Sequence, residues 1–422
     1  MNKKEKKLVE IVDNLSDDIL DYACRLVREA STLGKESGAV QVAEKKLRDL
    51  SFDPVSVPIE PAKLKKHPGF ALVPWGYEDR RNVVAVRQPD GVGGHSLVLN
   101  GHLDVVSPEP LELWDRDPFD PVVQDGWLYG RGAGDMKAGV AAMTYALYSV
   151  GKAGFGLNAP VIIENVIEEE CSGNGTLACL VAGYDAEAGL IPEPFGPTIL
   201  TSQLGVLWFK ISVRGLPVHA LSTQSGTDAI EKSFMVIKAL RELEEELNFS
   251  GIPENYKGIP HPINLNIGIF KSGDWPSIVP AMAEFHGRLS FFPGVSYEEA
   301  CSRIVETVDK AAQQDPWLAE NPPIVHFYGF RSEGHSLPLD LPAFSLLADC
   351  HKTLNGRDVQ EYIATCTTDL RVLNLYGSGQ ATCYGPVAEN IHGANERVDI
   401  ASIIHVAKVY ALFISRWCGL CE

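Results

Sequence analysis

The sequence predicts an α/β fold: a doubly wound, mostly parallel sheet interrupted by an inserted β-α-β-β-α-β unit of ferredoxin-like type. Three features carry that expectation. β-Branched apolar runs alternate with helix-spaced segments in the first part of the chain, the pattern changes near Gly205, and helical periodicity returns beyond residue 328. The first part opens with two amphipathic helical patterns. One runs from Ser16-Asp17-Asp18 through Leu20, Cys24 and Val27, and the other from Ser37 through Val40, Ala43, Leu47 and Leu50. Residues 82–87, 97–106 and 160–167 read as buried strands, and residues 136–150 as a helix behind a glycine-rich turn. After Gly205 come a strand (206–213), a long helix (227–247), two strands (262–270 and 281–292), a helix opened by Ser296-x-x-Glu299 (296–314) and a last strand (324–330). Residues 341–354 and 398–417 are again helical, on either side of residues 362–375 and the turn Tyr384-Gly-Pro386. The expected organisation is therefore a catalytic domain in two parts, residues 1–204 and 329–422, with a lid or dimerisation domain at 205–328.

Size and composition agree with a soluble two-domain enzyme. The chain has 422 residues, 45% hydrophobic and 22% charged, which exceeds one ordinary core and carries no sign of disorder. A formal net charge of -18 argues against nucleic acid and anionic membrane as partners, since both would be repelled at long range. Met1 to Lys7 are rich in lysine, but Leu8 to Leu20 alternate acids with apolar residues and form no secretory signal. No stretch of sequence approaches the roughly twenty apolar residues of a membrane span. Nine scattered cysteines, an odd number at irregular spacings, fit a reduced cytoplasmic setting. Cys418-Gly-Leu-Cys421 has no second such pair to complete a metal site and reads as a tail.

The chemistry concentrates at the ends of apolar segments. His102 and Asp104 form an H-x-D pair closing one strand. Asp135 ends a glycine-rich turn, Glu168-Glu169-Glu170 follows the run Val161-Ile-Ile-Glu-Asn-Val-Ile167, and Glu193 stands between two prolines. Three carboxylates at the end of a buried strand repel one another unless a cation lies among them. A mixed set of imidazole and carboxylate donors suits a borderline divalent ion such as Zn²⁺. His102 and His392 supply the nitrogens, Asp135 is placed to reach two ions, and Glu170 and Glu193 each serve one. Asp104 is expected to accept the second imidazole N–H of His102 and fix its tautomer. Glu169, beside a ligand, is expected to act as general base.

The segments Gly101-His-Leu-Asp-Val-Val106, Gly130-Arg-Gly-Ala-Gly-Asp-Met-Lys137, Glu168-Glu-Glu-Cys-Ser-Gly-Asn-Gly-Thr176 and Pro192-Glu-Pro194 resemble, in order and spacing, those of the dinuclear zinc metallopeptidase and deacylase family. That family includes acetylornithine deacetylase, succinyl-diaminopimelate desuccinylase, aminoacylase and a glutamate-releasing carboxypeptidase. The resemblance implies that His102, Asp135 and Glu193 hold one zinc and Asp135, Glu170 and His392 the other, with cobalt able to substitute. It implies that a zinc-bound hydroxide, made with Glu169 as base, cleaves the amide of an N-acyl amino acid or related small N-acyl amine. Cleavage of dipeptides by a metallocarboxypeptidase of the same family is the alternative.

Arg214-Gly-Leu-Pro-Val-His-Ala220 resembles the family's dimerisation motif, which implies a homodimer with His219 reaching into the partner's site. Arg288 matches the position that grips a substrate carboxylate, and Thr367 and Thr368 fall on a substrate loop. Ser107, Ser277 and Cys366 depart from the family's habits without touching a ligand, and bear on substrate identity. Two rival readings are a phosphate-cradling loop at residues 130–137 and a scaffold that kept the fold without catalysis.

Overall fold

Residues 1–421 are described by the structure, a computed structural model, whose larger sheet gathers strands from both ends of the chain. In chain order the strands that position the site are β1 (Val55–Pro58), β2 (Arg81–Arg87), β3 (Leu97–His102), β4 (Val161–Val166), β5 (Ala188–Ile191), β6 (Gly205–Arg214), β7 (Leu265–Ser272), β8 (Met282–Phe291), β9 (Ile324–Ser332) and β10 (Gln380–Cys383). The larger sheet runs β1-β2-β4-β3-β5-β10. Its β4, β3, β5 and β10 are parallel, and β1 and β2 form an antiparallel edge. Every residue of β3 and β4 is buried, because helices cover both faces of the sheet.

The helix Ala138–Lys152 packs against Ile400–Trp417 from the other end of the chain, so the two parts flanking the insertion share one core. At 18 residues Ile400–Trp417 has the length and apolarity to cross a membrane, which the sequence reading did not register. Its Ile403, Val406, Val409, Tyr410 and Phe413 are instead buried in that core. The first helix, Lys3–Asn14, was also unexpected. Asn2 accepts from the Glu5 N–H while the Glu5 carboxylate accepts from Asn2, a capping box hidden in a lysine-rich start. Arg416 then binds the Glu5 carboxylate at 2.8 Å and ties the two chain ends together.

The smaller sheet runs β7-β8-β6-β9, antiparallel throughout. Numbered within the unit that is 2-3-1-4, the arrangement expected of the β-α-β-β-α-β order. The helices Ala229–Phe249 and Tyr297–Gln313 cover one face and enclose a separate core of Phe209, Ile211, Val236, Phe285 and Ile304. Ser296 accepts from the Glu299 N–H at 3.1 Å and starts the second helix. β9 continues to Ser332, past the expected boundary at residue 328.

Two elements differ from expectation in ways that matter below. The strand expected over residues 97–106 ends at His102, and the helix expected from residue 136 begins at Ala138, because Asp135 (φ -111°, ψ 95°) and Met136 (φ -131°, ψ 29°) are not helical. Residues 362–375 divide into the strand Gln360–Ala364 and the helix Leu370–Tyr376.

Candidate active site

Three neighbouring parallel strands bring their carboxyl ends to one rim, the place where open α/β sheets bind ligands. β3 ends on His102, the chain leaving β4 reaches Glu169 and Glu170, and the chain leaving β5 reaches Glu193 through Pro192. His102 is 1% exposed. Its Nδ1–H donates to the backbone carbonyl of Asp104 at 2.9 Å, which leaves Nε2 facing Oδ1 of Asp135 at 2.9 Å and Oε1 of Glu193 at 3.9 Å. The other oxygen of Asp135 faces Nε2 of His392 at 3.3 Å, and that nitrogen lies 3.1 Å from Oε1 of Glu170. One carboxylate thus presents an oxygen to each of two imidazoles.

That geometry fits a pair of cations. Asp135 stands between the two imidazoles, with His102 and Glu193 on one side and Glu170 and His392 on the other. The ligand atoms of His102, Asp135 and Glu170 lie within 4.8 Å of one another, as do those of His102, Glu169 and Glu193. Nitrogen and carboxylate oxygen are donors that Zn²⁺ accepts readily. The electrostatics point the same way. Burial, reinforced by the charge of Asp135, pushes the Glu193 carboxyl well above the usual range, and burial does the same to Glu169. Burial works to lower the pKa of His102, but the surrounding carboxylates outweigh it and raise the imidazole well above its ordinary value.

Asp135 is held by a device the sequence reading missed. The buried Glu396 carboxylate accepts from the backbone N–H groups of Gly132 (3.0 Å), Gly134 (2.8 Å) and Asp135 (3.0 Å), and pairs with Arg131 at 2.6 Å. Gly132 adopts φ 79°, a conformation that favours glycine and turns its N–H toward the carboxylate. Arg131 also donates to the Gly393 carbonyl at 3.1 Å, so the loop of Asp135 is fastened to the loop of His392. The same contacts dispose of the phosphate-loop rival, because the N–H groups that would receive a phosphate already bind Glu396.

Several expected roles need correction. The Asp104 carboxylate does not make the tautomer-fixing bond, which its own backbone carbonyl makes instead. Its Oδ2 accepts from the Glu170 N–H at 3.1 Å and its Oδ1 from the Glu169 N–H at 3.4 Å, so it fixes the backbone of those two residues. Glu168 is no member of the repelling trio. Arg80 pairs with it at 2.6 Å, and Trp75, Tyr77 and Ser172 donate to it at 2.9, 2.8 and 2.6 Å. Thr368 is 2% exposed; its hydroxyl donates to Gln203 Oε1 at 2.8 Å and accepts from the Leu370 N–H, so its proton is taken up within the fold. Thr367 is half-buried, with its hydroxyl 2.8 Å from that of Ser332.

A cleft of ≈ 920 Å³ opens over the rim, with Asp104, Trp114 and Glu170 on the side of the larger sheet and Trp208 and Ile269 on the side of the inserted unit. Arg288 stands opposite Trp208 in the β6–β8 register, half-buried, its guanidinium making no hydrogen bond or ion pair among the described residues. Burial lowers its pKa. His219 is exposed on a loop of the inserted unit, where its Nδ1 accepts from the Leu221 N–H at 3.0 Å, and it makes no contact with the cluster within one chain.

Comparison with known proteins places this arrangement. Residues 98–416 match the model of peptidase family M20/M25/M40. An N-formyl-4-amino-5-aminomethyl-2-methylpyrimidine deformylase of Halalkalibacterium halodurans is 29% identical over 365 residues, 82% of this chain and 84% of that protein. A succinyl-diaminopimelate desuccinylase of Xanthomonas oryzae pv. oryzae is 24% identical over 414 residues, 95% of this chain and 99% of the other. Among solved structures, the di-peptidase Dug1p of Saccharomyces cerevisiae has a TM-score of 0.80 at 13% identity over 99% of each chain, a likeness of fold.

Proposed function

Because the chain belongs to peptidase family M20/M25/M40, we propose that it is an amidohydrolase with two Zn²⁺ ions per subunit, replaceable by Co²⁺, that removes the acyl group of an N-acyl amino acid or related small N-acyl amine. The observation that carries this reading is Asp135, whose two oxygens face His102 and His392 at 2.9 and 3.3 Å. His102, Asp135 and Glu193 would hold one ion, and Asp135, Glu170 and His392 the other. Bound there, the ions supply Lewis-acid polarisation of the amide carbonyl and acidify the attacking water. Glu169 takes the proton of that water and delivers it to the departing amine. Asp104 keeps Glu169 and Glu170 in place through their N–H groups.

The inserted unit supplies the remaining contacts. The unpartnered fork of Arg288 suits the free carboxylate of an amino-acid substrate. β7 is an open sheet edge, and Ile269, Phe270 and Phe234 around it are 44%, 38% and 59% exposed. That surface supports a homodimer in which His219 enters the partner's cleft and stabilises the tetrahedral oxyanion. A cytoplasmic setting agrees with nine cysteines that form no disulfide.

Dipeptide cleavage is the second reading, favoured by the same Arg288, since a dipeptide also ends in a free carboxylate. A panel of N-formyl, N-acetyl, N-succinyl and N-carbamoyl amino acids, non-carboxylate N-formyl amines and dipeptides, assayed for amine release with Zn²⁺ or Co²⁺, separates the two. Release from acylated amines supports the deacylase, release from dipeptides alone supports the peptidase, and release from none with both ions bound overturns the reading.

A further inference from the structure

Beneath Glu169 lies a guanidinium that the reaction outlined above does not use. Arg371, on the helix Leu370–Tyr376, is 2% exposed. Its Nη2 donates to the Glu169 backbone carbonyl at 3.4 Å and lies 3.4 Å from Asp369 Oδ1. Its Nη1 has no hydrogen-bond partner and lies 3.6 Å from Oε1 of Glu169. The plane of the fork lies against Phe330 of β9, 4.7 Å from the ring centroid. Gly173 adjoins the fork, where a Cβ would come within 2.3 Å of Nη2. Asp369 accepts in turn from Thr176, whose hydroxyl accepts from Asn100 at 2.9 Å, so the arginine is braced from below by a buried polar chain.

A buried guanidinium with an unmade N–H bond is costly, and a fork that grips one residue's main chain while aiming its spare donor at the same residue's carboxylate is not needed for packing alone. We propose that Arg371 is the positioning residue of the base: one arm holds the Glu169 backbone and the other orients its carboxylate toward the water. The proposal rests on the reading of Glu169 as base. A flexible carboxylate held by its backbone alone samples several rotamers, and misplacement by about 1 Å costs on the order of 10²-fold in rate. Phe330 belongs to the inserted unit, so the brace also joins the base to the wall of the cleft that the insertion supplies.

The test compares Glu169→Ala, Arg371→Ala and Arg371→Lys in the zinc-loaded enzyme on whichever substrate the panel identifies, with metal content and thermal unfolding measured for each. Loss of turnover in Glu169→Ala with both ions retained keeps the base reading; normal turnover there removes it and leaves Arg371 nothing to position. With the base reading kept, Arg371→Ala is expected to lower kcat about 10²-fold while KM and metal content stay within about threefold. Added guanidinium ion at non-denaturing concentration should restore part of that loss. Arg371→Lys, which keeps the charge but lacks the fork, should fold normally and still lose most of the rate. Should Arg371→Ala fail to fold, Arg371→Lys decides. Turnover within threefold of the parent in a folded Arg371 variant, or a loss confined to KM or to metal content, overturns the proposal.

Discussion

Asp135 turns one oxygen to His102 and the other to His392. It is lowered below the usual carboxylate range because the hydrogen bonds from His102 and His392 outweigh the effect of burial. A second carboxylate, Glu164, behaves in the opposite way. Burial raises its pKa from 4.5 to about 8, the Asp369 charge adds to the rise, and Asn100 donates to one oxygen at 2.8 Å while the other has no partner. Between those two pH values the folded chain keeps a proton that the unfolded chain releases, so this group's contribution to stability falls as pH rises from 4.5 through 8. Glu164→Gln removes that dependence. It should raise the unfolding temperature at pH 9, on the order of 2 °C for each kcal/mol recovered, and leave it nearly unchanged at pH 4, as calorimetry at the two pH values would register. An equal shift at both would contradict the assignment.

At the scale of elements, the site is a set of strand ends and two fastened loops. The strand ends were legible from sequence, because His102, Glu169, Glu170 and Glu193 each close or follow an apolar run. The supports were not legible. Glu396 lies 265 residues from Arg131, and Arg371 lies 202 residues from Glu169, so no local spacing announces either pair. Glu168 was misread for the same reason, since Arg80, Trp75 and Tyr77, which neutralise and fill it, come from an earlier loop. The role of Glu396 yields its own prediction. Glu396→Gln should weaken cation affinity about 10- to 100-fold without abolishing the fold, as competition with a chromogenic chelator would measure. An unchanged affinity would show that the Asp135 turn holds its shape without the carboxylate.

For the whole molecule, the inserted unit has its own core and supplies one wall of the cleft. Its order of strands and helices was readable because each element is long and strongly patterned. The short strands β5 and β10 and the split of residues 362–375 were not, as four- or five-residue segments carry too little periodicity. If β7 pairs with a second copy, Phe270→Asp should shift the sedimentation coefficient to that of a monomer and cut turnover with cation content intact, because His219 would then lack a partner cleft. A monomeric parent protein with full activity would remove that role from His219. Loading with Zn²⁺ should also raise the unfolding temperature in proportion to the logarithm of free metal, and chelation should reverse it.

The pair of cations is the centre of the account, and elemental analysis of the zinc-equilibrated, dialysed chain beside its Asp135→Ala variant tests it most directly. Two zinc ions per chain in the parent, with both weakened together in the variant, is the expected result. One ion or none in the parent, or two ions indifferent to the loss of Asp135, would contradict it.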